Sequence, residues 1–446
     1  MTTSQRLADF IGKTTYDTLP PDVHEMAKLC FLDWLGAAIA GTGALPTDII
    51  VDLVGEMGGK EEATLIPTGG RSSSLWAALV NGAASHVVEM DDVHRTGLVH
   101  PGVAVIPAAL ALAEREGSSG RDLLTAIALG YEVAIRVGQA LGPSHYERWH
   151  TTGTAGTFGA AVACGKLLAL DQEQLVWTLG SAGSQAAGVW EFLADGAMSK
   201  QLHAGKAAMN GALAALLAQR GFTGAERILE GEKGFLKATS REPRLDRLTE
   251  GLGDRWEMLG TSFKAHAACR HIHSAIDATL QALRGRQLPP REVERMTVRL
   301  YGAALDLCER VEATSPYAAK FNIPFCVATA VRYGRVGPEA FTEERLEERD
   351  IKELVRRVVL KRDDELDDLF PAKWPAVVEL VTRDGRREEV RVEYPKGDPE
   401  NPMSREDLAA KFRDLTRKLL PAAKVERFIQ IALRLDELEN ANLLFA

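Results

Sequence analysis

Roughly the first 235 residues carry apolar side chains every three to four positions, which is the spacing of helices that bury one face or more. Several of these segments are apolar on nearly every side, as expected of the central helices of a multilayer bundle. Small residues crowd positions 153–165 and favour a helix that packs closely on its neighbours. The pattern predicts helices over residues 23–40, 73–86, 104–114, 121–141, 154–170, 172–183 and 205–219.

The pattern changes after about residue 270, where apolar and polar residues alternate as they do in strands. The predicted strands are 293–301, 376–381 and 390–394, and the predicted helices between them are 324–333 and 350–359. The Asp384-Gly385 pair between the last two strands is typical of a β-hairpin turn. Ser404 to Asp407 resembles a capping box that opens a further helix, and the last forty residues are amphipathic.

These patterns predict a mainly α protein with a large all-helical domain and a smaller α+β domain. Helical periodicity occupies both ends of the chain, whereas the hairpin signal lies only between them. Residues 1–265 and 400–446 are therefore predicted to form one discontinuous helical domain, into which residues 270–399 are inserted.

Composition narrows the class of protein. Of the 446 residues, 46% are hydrophobic and 26% are charged, which is ordinary for a globular chain and excludes wholesale disorder. The formal net charge of -9 argues against a partner bound by bulk positive charge, so no nucleic acid is expected. Neither a secretory signal nor an apolar run of about 20 residues is evident, so we expect a cytoplasmic protein without membrane contact. The five widely spaced cysteines predict reduced thiols, most of them in the core.

Polar clusters interrupt the apolar helices at four places, and the first of them lies at 81–94 together with His100. Carboxylates and imidazoles are costly to bury unless they pair or take part in chemistry. A solvated acidic turn is the plain alternative. A divalent-metal site is another, but the spacing matches no specific metal pattern, and no metal is predicted.

The other three clusters lie at 149–154, 198–206 and 263–273. The first of these precedes a small-residue helix, whose N-terminus can hold a carboxylate. The other two concentrate lysine, arginine and histidine in an acidic protein. Each run alone is usually a solvated surface, whereas together they indicate a positive pocket for a substrate with several carboxylates. Nucleotide-binding and zinc-protease motifs are absent from the sequence.

At these clusters the sequence resembles the MmgE/PrpD family, which includes 2-methylcitrate dehydratase, cis-aconitate decarboxylase and iminodisuccinate epimerase. The resemblance covers nearly the whole chain and rests on several motifs in order. They are Asn81-Gly82 through Asp91-Asp92, His100-Pro101, His150 through Gly156, Lys200 with Leu202-His203, Phe263-Lys264 through Asp277, and Ala319-Lys320-Phe321. The resemblance implies that the inserted α+β domain is a lid, that the protein is a homodimer and that it uses no cofactor.

The resemblance also implies the site residues. The expected catalytic residues are Asp91, Asp92, His100, His150, Lys200 and Lys264. The expected substrate-binding residues are Glu89, His94, Thr152, His203, Cys269 and Arg270. Our working assignment makes His150 or Lys264 the base and His100 the acid. Lys200 and Arg270 would bind carboxylates, and Asp91 or Asp92 would orient an imidazole or a lysine.

The predicted function is a cofactor-independent lyase that removes a proton next to a carboxylate in a small di- or tricarboxylate, with dehydration as the first choice. An epimerase or decarboxylase of a related dicarboxylate is the alternative, and a non-catalytic binding protein is the further one. The chain departs from the cis-aconitate decarboxylase pattern, notably at Glu89, Val93, Cys269 and Phe325. These departures favour a substrate other than cis-aconitate.

Overall fold

The computed structural model describes residues 1–308 and 312–446. Over these residues the protein is mainly α-helical, as the periodicity predicts. The chain divides into two compact units. Unit 1 comprises Met1–Trp190, Met198–Thr261 and Ser404–Ala446. Unit 2 comprises Glu191–Ala197 and Ser262–Met403.

The helices α1 to α10 are Thr3–Lys13, Pro21–Ala40, Leu45–Met57, Ser74–Val87, Gly102–Glu116, Gly120–Tyr146, Thr151–Leu167, Gln172–Gln185, Ser199–Gln219 and Phe235–Thr239. The helices α11 to α19 are His273–Leu283, Gly302–Cys308, Pro316–Ala319, Ile323–Tyr333, Glu343–Glu347, Arg349–Val355, Asp364–Asp367, Arg405–Thr416 and Ala422–Leu433. The strands β1 to β8 are Ala63–Thr64, Arg71–Ser72, Val93–His94, Thr261–Ser262, Val293–Leu300, Val358–Arg362, Ala376–Thr382 and Arg387–Val392.

The centre of unit 1 is built from α4, α5, α6, α7 and α9, which pack on one another. Glycines allow two of these helices to meet backbone to backbone. A Cβ on Gly130 of α6 would lie 2.9 Å from the carbonyl oxygen of Gly159 in α7, and a Cβ on Gly159 would lie 2.5 Å from that of Gly130. Neither position therefore accommodates a side chain, and the predicted close packing of α7 is confirmed.

The helix α6 is long and apolar enough to cross a membrane, but 94% of its apolar window is buried inside the protein. Its apolar faces are covered by other helices, including α5 and α7. This burial is typical of the core helix of a globular domain.

The C-terminal segment of unit 1 packs against the N-terminal part of the chain. The helices α18 and α19 contact α2, and Lys411 of α18 reaches into the core. Its Nζ atom donates to Oδ1 of Asp33 at 2.6 Å and to the carbonyl oxygen of Met90 at 2.6 Å. Ser404 caps α18 with the predicted capping box, closed by Asp407.

Unit 2 contains a four-stranded sheet in the order β6-β5-β7-β8. The strands β7 and β8 form the predicted hairpin around Asp384 and Gly385, and α11 contacts both of them. The strand β5 pairs in parallel with β6, with Met296 opposite Val358. The end of the predicted helix over 350–359 is wrong, because α16 stops at Val355 and the strand β6 begins at Val358.

Two boundaries next to the polar clusters also differ from the prediction. The helix α9 begins at Ser199 instead of residue 205, so Lys200 and His203 lie in its first turns and not ahead of it. The helix α7 begins at Thr151 instead of residue 154, which makes His150 its N-cap residue. The helices α1 and α3 were not among the predicted segments.

Candidate active site

Four helices of unit 1 bring their ends together around a set of polar side chains. The helix α4 packs on α5 and α9, and α5 packs on α7 and α9. His86 lies in the last turn of α4, and Glu89 and Asp91 follow it, while His150 and Lys200 lie at the N-terminal ends of α7 and α9. Because the helix interiors are apolar and small, the polar groups meet at these ends.

The Asp91 carboxylate lies between two imidazole rings. Its Oδ2 atom is 2.9 Å from Nδ1 of His86 and 2.8 Å from Nδ1 of His100. Nδ1 of His100 also lies 2.6 Å from the carbonyl oxygen of Asp92. His86 and Asp91 are buried, whereas 15% of the His100 side chain is exposed. One carboxylate thus lies beside the same ring nitrogen of two imidazoles.

His150 is buried beside two further imidazoles. Its Nδ1 is 3.2 Å from Nδ1 of His203, and its ring stacks on that of His86 with 5.6 Å between the centroids. Within the described part of the chain, Nε2 of His150 has no hydrogen-bond partner. We refer to His86, Asp91, His100, His150 and His203 as the imidazole cluster.

Burial controls the charge of two of these rings, His150 and His203. It lowers the pKa of His150 well below the ordinary 6.5, and Lys200 and the neighbouring imidazoles lower it further. Burial likewise lowers the pKa of His203 to about 4. Both rings are therefore neutral near pH 7. A neutral imidazole has one nitrogen with a lone pair, so each ring can accept a proton.

Glu89 and Lys200 form a buried ion pair. The exposed fraction is 0% for the Glu89 side chain and 4% for that of Lys200. The backbone of Glu89 has a φ of 57°, in the left-handed region that residues other than glycine rarely adopt. Such strain persists only where the surroundings fix it, and it concentrates at functional sites. The Lys200 charge lies close enough to His150 and His203 to lower the pKa of each.

The backbone around α7 holds the two proposed acid–base residues in place. The His100 N–H donates to Oγ1 of Thr152 at 3.1 Å, and the His150 N–H donates to the carbonyl oxygen of Gly188 at 3.0 Å. Gly188 has a φ of 141°, and a Cβ there would lie 3.1 Å from the His203 ring. The Trp190 ring lies 4.7 Å from that of His150. Gly188 and Trp190 therefore pack closely against the rings of His203 and His150.

Asp92 and His94 were expected in the site, but their side chains have other partners. Tyr131 O–H donates to one oxygen of Asp92 at 2.5 Å, and the Gly102 N–H donates to the other at 3.1 Å. Burial raises the pKa of Asp92 to about 8, although the Tyr131 hydrogen bond opposes this shift. Nδ1 of His94 accepts from the Gly97 N–H at 3.0 Å, and burial lowers the pKa of His94 to about 4. Through these contacts both side chains stabilise the loop before α5.

Three of the predicted residues belong to unit 2. Lys264 is fully buried, and Cys269 is half-buried. The Arg270 guanidinium forms a buried ion pair with Asp398 and lies 3.0 Å from Nδ1 of His273. Unit 2 therefore contains a buried basic cluster of its own, in which Asp398 already balances the charge of Arg270.

The remaining predicted residues meet in unit 1. They are Glu89, Asp91, His100, His150, Thr152, Lys200 and His203. Sequence reasoning missed His86, Tyr131 and Trp190. A histidine in the last turn of an otherwise apolar helix was the available signal for His86. Tyr131 and Trp190 carry no such signal, because only the fold brings them to these partners.

The same cluster has the donor set of a metal site. In residues 1–308 and 312–446, the one group of three histidine, cysteine or acidic ligand atoms close enough to share an ion is that of His86, Asp91 and His100. These atoms lie within 4.8 Å of one another, and imidazole and carboxylate together suit divalent transition metals. However, both imidazole nitrogens already lie at hydrogen-bond distance from the carboxylate. These Nδ1 atoms are thus already engaged with oxygen atoms of Asp91 and Asp92.

Profiles of one family match almost the whole chain. The MmgE/PrpD N-terminal domain matches residues 5–248, and the MmgE/PrpD C-terminal domain matches residues 266–437. The chain belongs to the MmgE/PrpD family. The resemblance carried by the polar clusters is thus confirmed.

Curated relatives span the full length of this MmgE/PrpD chain. Cis-aconitate decarboxylase of Aspergillus terreus is 28% identical over 449 residues, which cover 95% of this chain and 91% of that enzyme. The mouse enzyme of the same name is 26% identical over 475 residues, with 99% and 92% covered. The human enzyme of that name is 27% identical over 442 residues, which cover 95% of this chain and 89% of the human enzyme. These findings support an enzyme of the lyase type that acts on a carboxylate.

Proposed function

We propose that this MmgE/PrpD chain is a cofactor-independent lyase that removes a proton next to a carboxylate in a small di- or tricarboxylate. The observation that carries the proposal is the neutral, buried imidazole of His150 close to the Glu89–Lys200 ion pair. A neutral imidazole can take a proton, and a nearby ammonium stabilises the negative charge that then develops on the substrate.

Dehydration of a β-hydroxy acid is the first choice of reaction. Nε2 of His150 removes the proton next to the carboxylate, and the electron pair of that C–H bond forms the carbon–carbon double bond. The C–O bond breaks as His100 delivers a proton to the leaving hydroxyl, so that water departs. Lys200 binds the carboxylate, and Glu89 holds the ammonium in place. Lys264 stays an alternative base, and Arg270 stays an alternative carboxylate ligand.

Decarboxylation is the second candidate, and the names of the Aspergillus, mouse and human relatives favour it. In that reaction a C–C bond breaks, carbon dioxide leaves, and the acid delivers its proton to carbon. Glu89 and Cys269 stand where the decarboxylase pattern has aspartate and histidine, which favours a different substrate for this chain. Epimerisation requires the same proton removal without loss of a group.

A substrate panel distinguishes these reactions. The purified chain is incubated with citrate-like and malate-like acids and with cis-aconitate, with and without a chelator, in deuterated and ordinary water. Formation of an unsaturated acid without carbon dioxide supports dehydration, and release of carbon dioxide supports decarboxylation. Solvent deuterium in otherwise unchanged substrate supports epimerisation. Turnover that vanishes with the chelator contradicts the cofactor-independent mechanism, and binding without turnover supports the non-catalytic alternative.

Variants of the two proposed acid–base residues test the mechanism itself. His100→Gln and His150→Gln should each lower turnover by roughly 10²- to 10⁴-fold, because proton transfer is lost while size is kept. The double variant should be barely worse than the poorer single one, since groups that act as a unit are not additive. His24→Gln is the matched control, because Nε2 of His24 bonds to the Tyr16 carbonyl oxygen and the His24 ring stacks on the Tyr16 ring. Multiplicative losses would contradict concerted action.

The lid role of residues 270–399, the homodimer and the cytoplasmic location also remain proposals. The helix α3 supports a homodimer, because Leu45, Ile49, Leu53 and Met57 recur at every fourth position and are at least half exposed. A row of this kind suits a second copy of the chain. Analytical ultracentrifugation of the full chain tests it.

A further inference from the structure

The shared carboxylate of Asp91 determines where the protons lie on His86 and His100. An ionised carboxylate and a carbonyl oxygen can only accept hydrogen bonds. Nδ1 of His100 has one such partner, the carbonyl oxygen of Asp92 at 2.6 Å, and it also lies 2.8 Å from Oδ2 of Asp91. Nδ1 of His86 has Oδ2 of Asp91 at 2.9 Å. Both Nδ1 atoms therefore carry hydrogen, and a neutral His100 presents its lone pair at Nε2.

Within the described residues, the His86 side chain has no other hydrogen bond to account for its place in the core. Its ring is fully buried, and its Nε2 has no partner in the part of the chain that the structure describes. A buried nitrogen without a partner destabilises the fold, and an apolar side chain would avoid that cost. The ring also stacks on that of His150 and meets that of His100 edge-on, with centroids 5.6 and 5.2 Å apart. His86 thus contacts both residues to which the proposed function assigns proton transfer.

We infer that His86 is a positioning residue for His100. By donating to the Asp91 oxygen that lies 2.8 Å from Nδ1 of His100, it offsets part of the negative charge of that carboxylate and limits how strongly the carboxylate favours a protonated His100. This inference rests on the proposed function for its catalytic meaning. The proton positions that it requires can be measured without substrate.

The sign of the effect follows from the shared oxygen. If the His86 donor is removed, the carboxylate interacts with His100 alone, and the protonated form of that ring is stabilised. His100 should then keep its proton to a higher pH. The substitution alters none of the other charged or titratable groups around Asp91, Asp92 and these rings. They are Asp33, Glu89, Asp92, His150, Lys200, His203 and Lys411.

Three substitutions separate the hydrogen bond from the bulk of the ring. In His86→Asn the side-chain amide nitrogen takes the place of Nδ1 and can still donate to Asp91. In His86→Leu the donor is lost. In His86→Gln a polar side chain remains, but its amide lies farther out, nearer the position of Nε2. The Gln variant keeps the test open if the Leu variant does not fold.

The readout is the nitrogen–proton NMR spectrum of the full chain labelled with ¹⁵N-histidine and dialysed against a chelator. The chain has ten histidines, and His100→Gln assigns the signals of that ring. We expect His100 as the Nδ1–H tautomer, and its titration should move up by roughly one pH unit in the Leu and Gln variants. The Asn variant should titrate like the wild type. The limb of the pH–rate profile that belongs to His100 should move in the same direction.

The matched control is His145→Leu, which removes another buried imidazole of unit 1. His145 bonds to Oγ1 of Thr154 and to the Thr239 carbonyl oxygen, neither of them a carboxylate. The His145→Leu substitution should lower the thermal unfolding midpoint without changing the pH at which His100 titrates. An Nε2–H tautomer of His100, or a His100 titration unmoved in folded His86→Leu or His86→Gln, would overturn the inference. Failure of the substrate panel alone would overturn the proposed function and leave the NMR result standing.

Discussion

The ion pair between Lys411 and Asp33 should be among the most costly to break in unit 1. The exposed fraction is 6% for the Lys411 side chain and 0% for that of Asp33. The ammonium also donates to the Met90 carbonyl oxygen, which lies in the turn between Glu89 and Asp91. Lys411→Met keeps most of the side-chain length and removes the charge, so that a carboxylate and a carbonyl lose their shared donor.

The expected loss of unfolding free energy is about 3–5 kcal/mol, because removing one partner leaves the other charge buried. A domain is stable by only about 5–15 kcal/mol, so urea unfolding followed by circular dichroism resolves such a loss easily. Turnover should fall as well, because the Met90 carbonyl helps to hold the turn that carries Glu89 and Asp91.

Two further variants decide whether burial is the cause. Lys411→Met combined with Asp33→Leu should recover much of the loss, since no buried charge then remains. Lys13→Met removes the ammonium of an exposed pair with Asp9 and should change the unfolding free energy far less. If Lys411→Met costs no more than Lys13→Met, the reasoning from burial is wrong.

Two other predictions concern single residues. Burial raises the pKa of Asp92 from 3.8 to about 8, so the folded chain keeps a proton that the unfolded chain releases between those values, and stability falls as the pH rises through that window. Asp92→Asn should flatten this fall when urea midpoints are compared across the window, and an unchanged slope would count against it. Lys200→Ala should lose most turnover, whereas Lys237→Ala, which breaks an exposed pair, should keep it. Near-normal rates in Lys200→Ala would remove that lysine from the mechanism.

Local sequence patterns were sufficient to predict most helices and the β7–β8 hairpin. Apolar residues at helical spacing, the Asp384-Gly385 turn and the Ser404 cap each act within a few residues. The parallel pairing of β6 with β5 is a contact between distant segments, and periodicity cannot show it. The start of α9 was placed too late because Lys200 is a polar residue at what proved to be a buried position, where Glu89 is its partner.

In the candidate site, too, local patterns predicted some features, whereas contacts between distant segments decided the others. Residue types and the order of the motifs pointed to the polar cluster and to the family. Adjacent positions such as Asp91 and Asp92 could not be told apart, because the backbone turn alone decides that one carboxylate meets two imidazoles and the other meets Tyr131. Side-chain direction in a turn depends on contacts with helices far along the chain.

The order of synthesis gives the discontinuous unit 1 a particular difficulty. Asp33 is separated by 378 residues from the lysine that neutralises it. At about 5–20 residues per second, the carboxylate leaves the ribosome roughly 20 to 75 s before its partner is made. All of unit 2 is synthesised in that interval, so the inserted unit is complete before the unit that contains it. A ribosome that stalls before α18 therefore releases a chain whose first unit lacks a core ion pair and two covering helices, and proteases and chaperones recognise such chains.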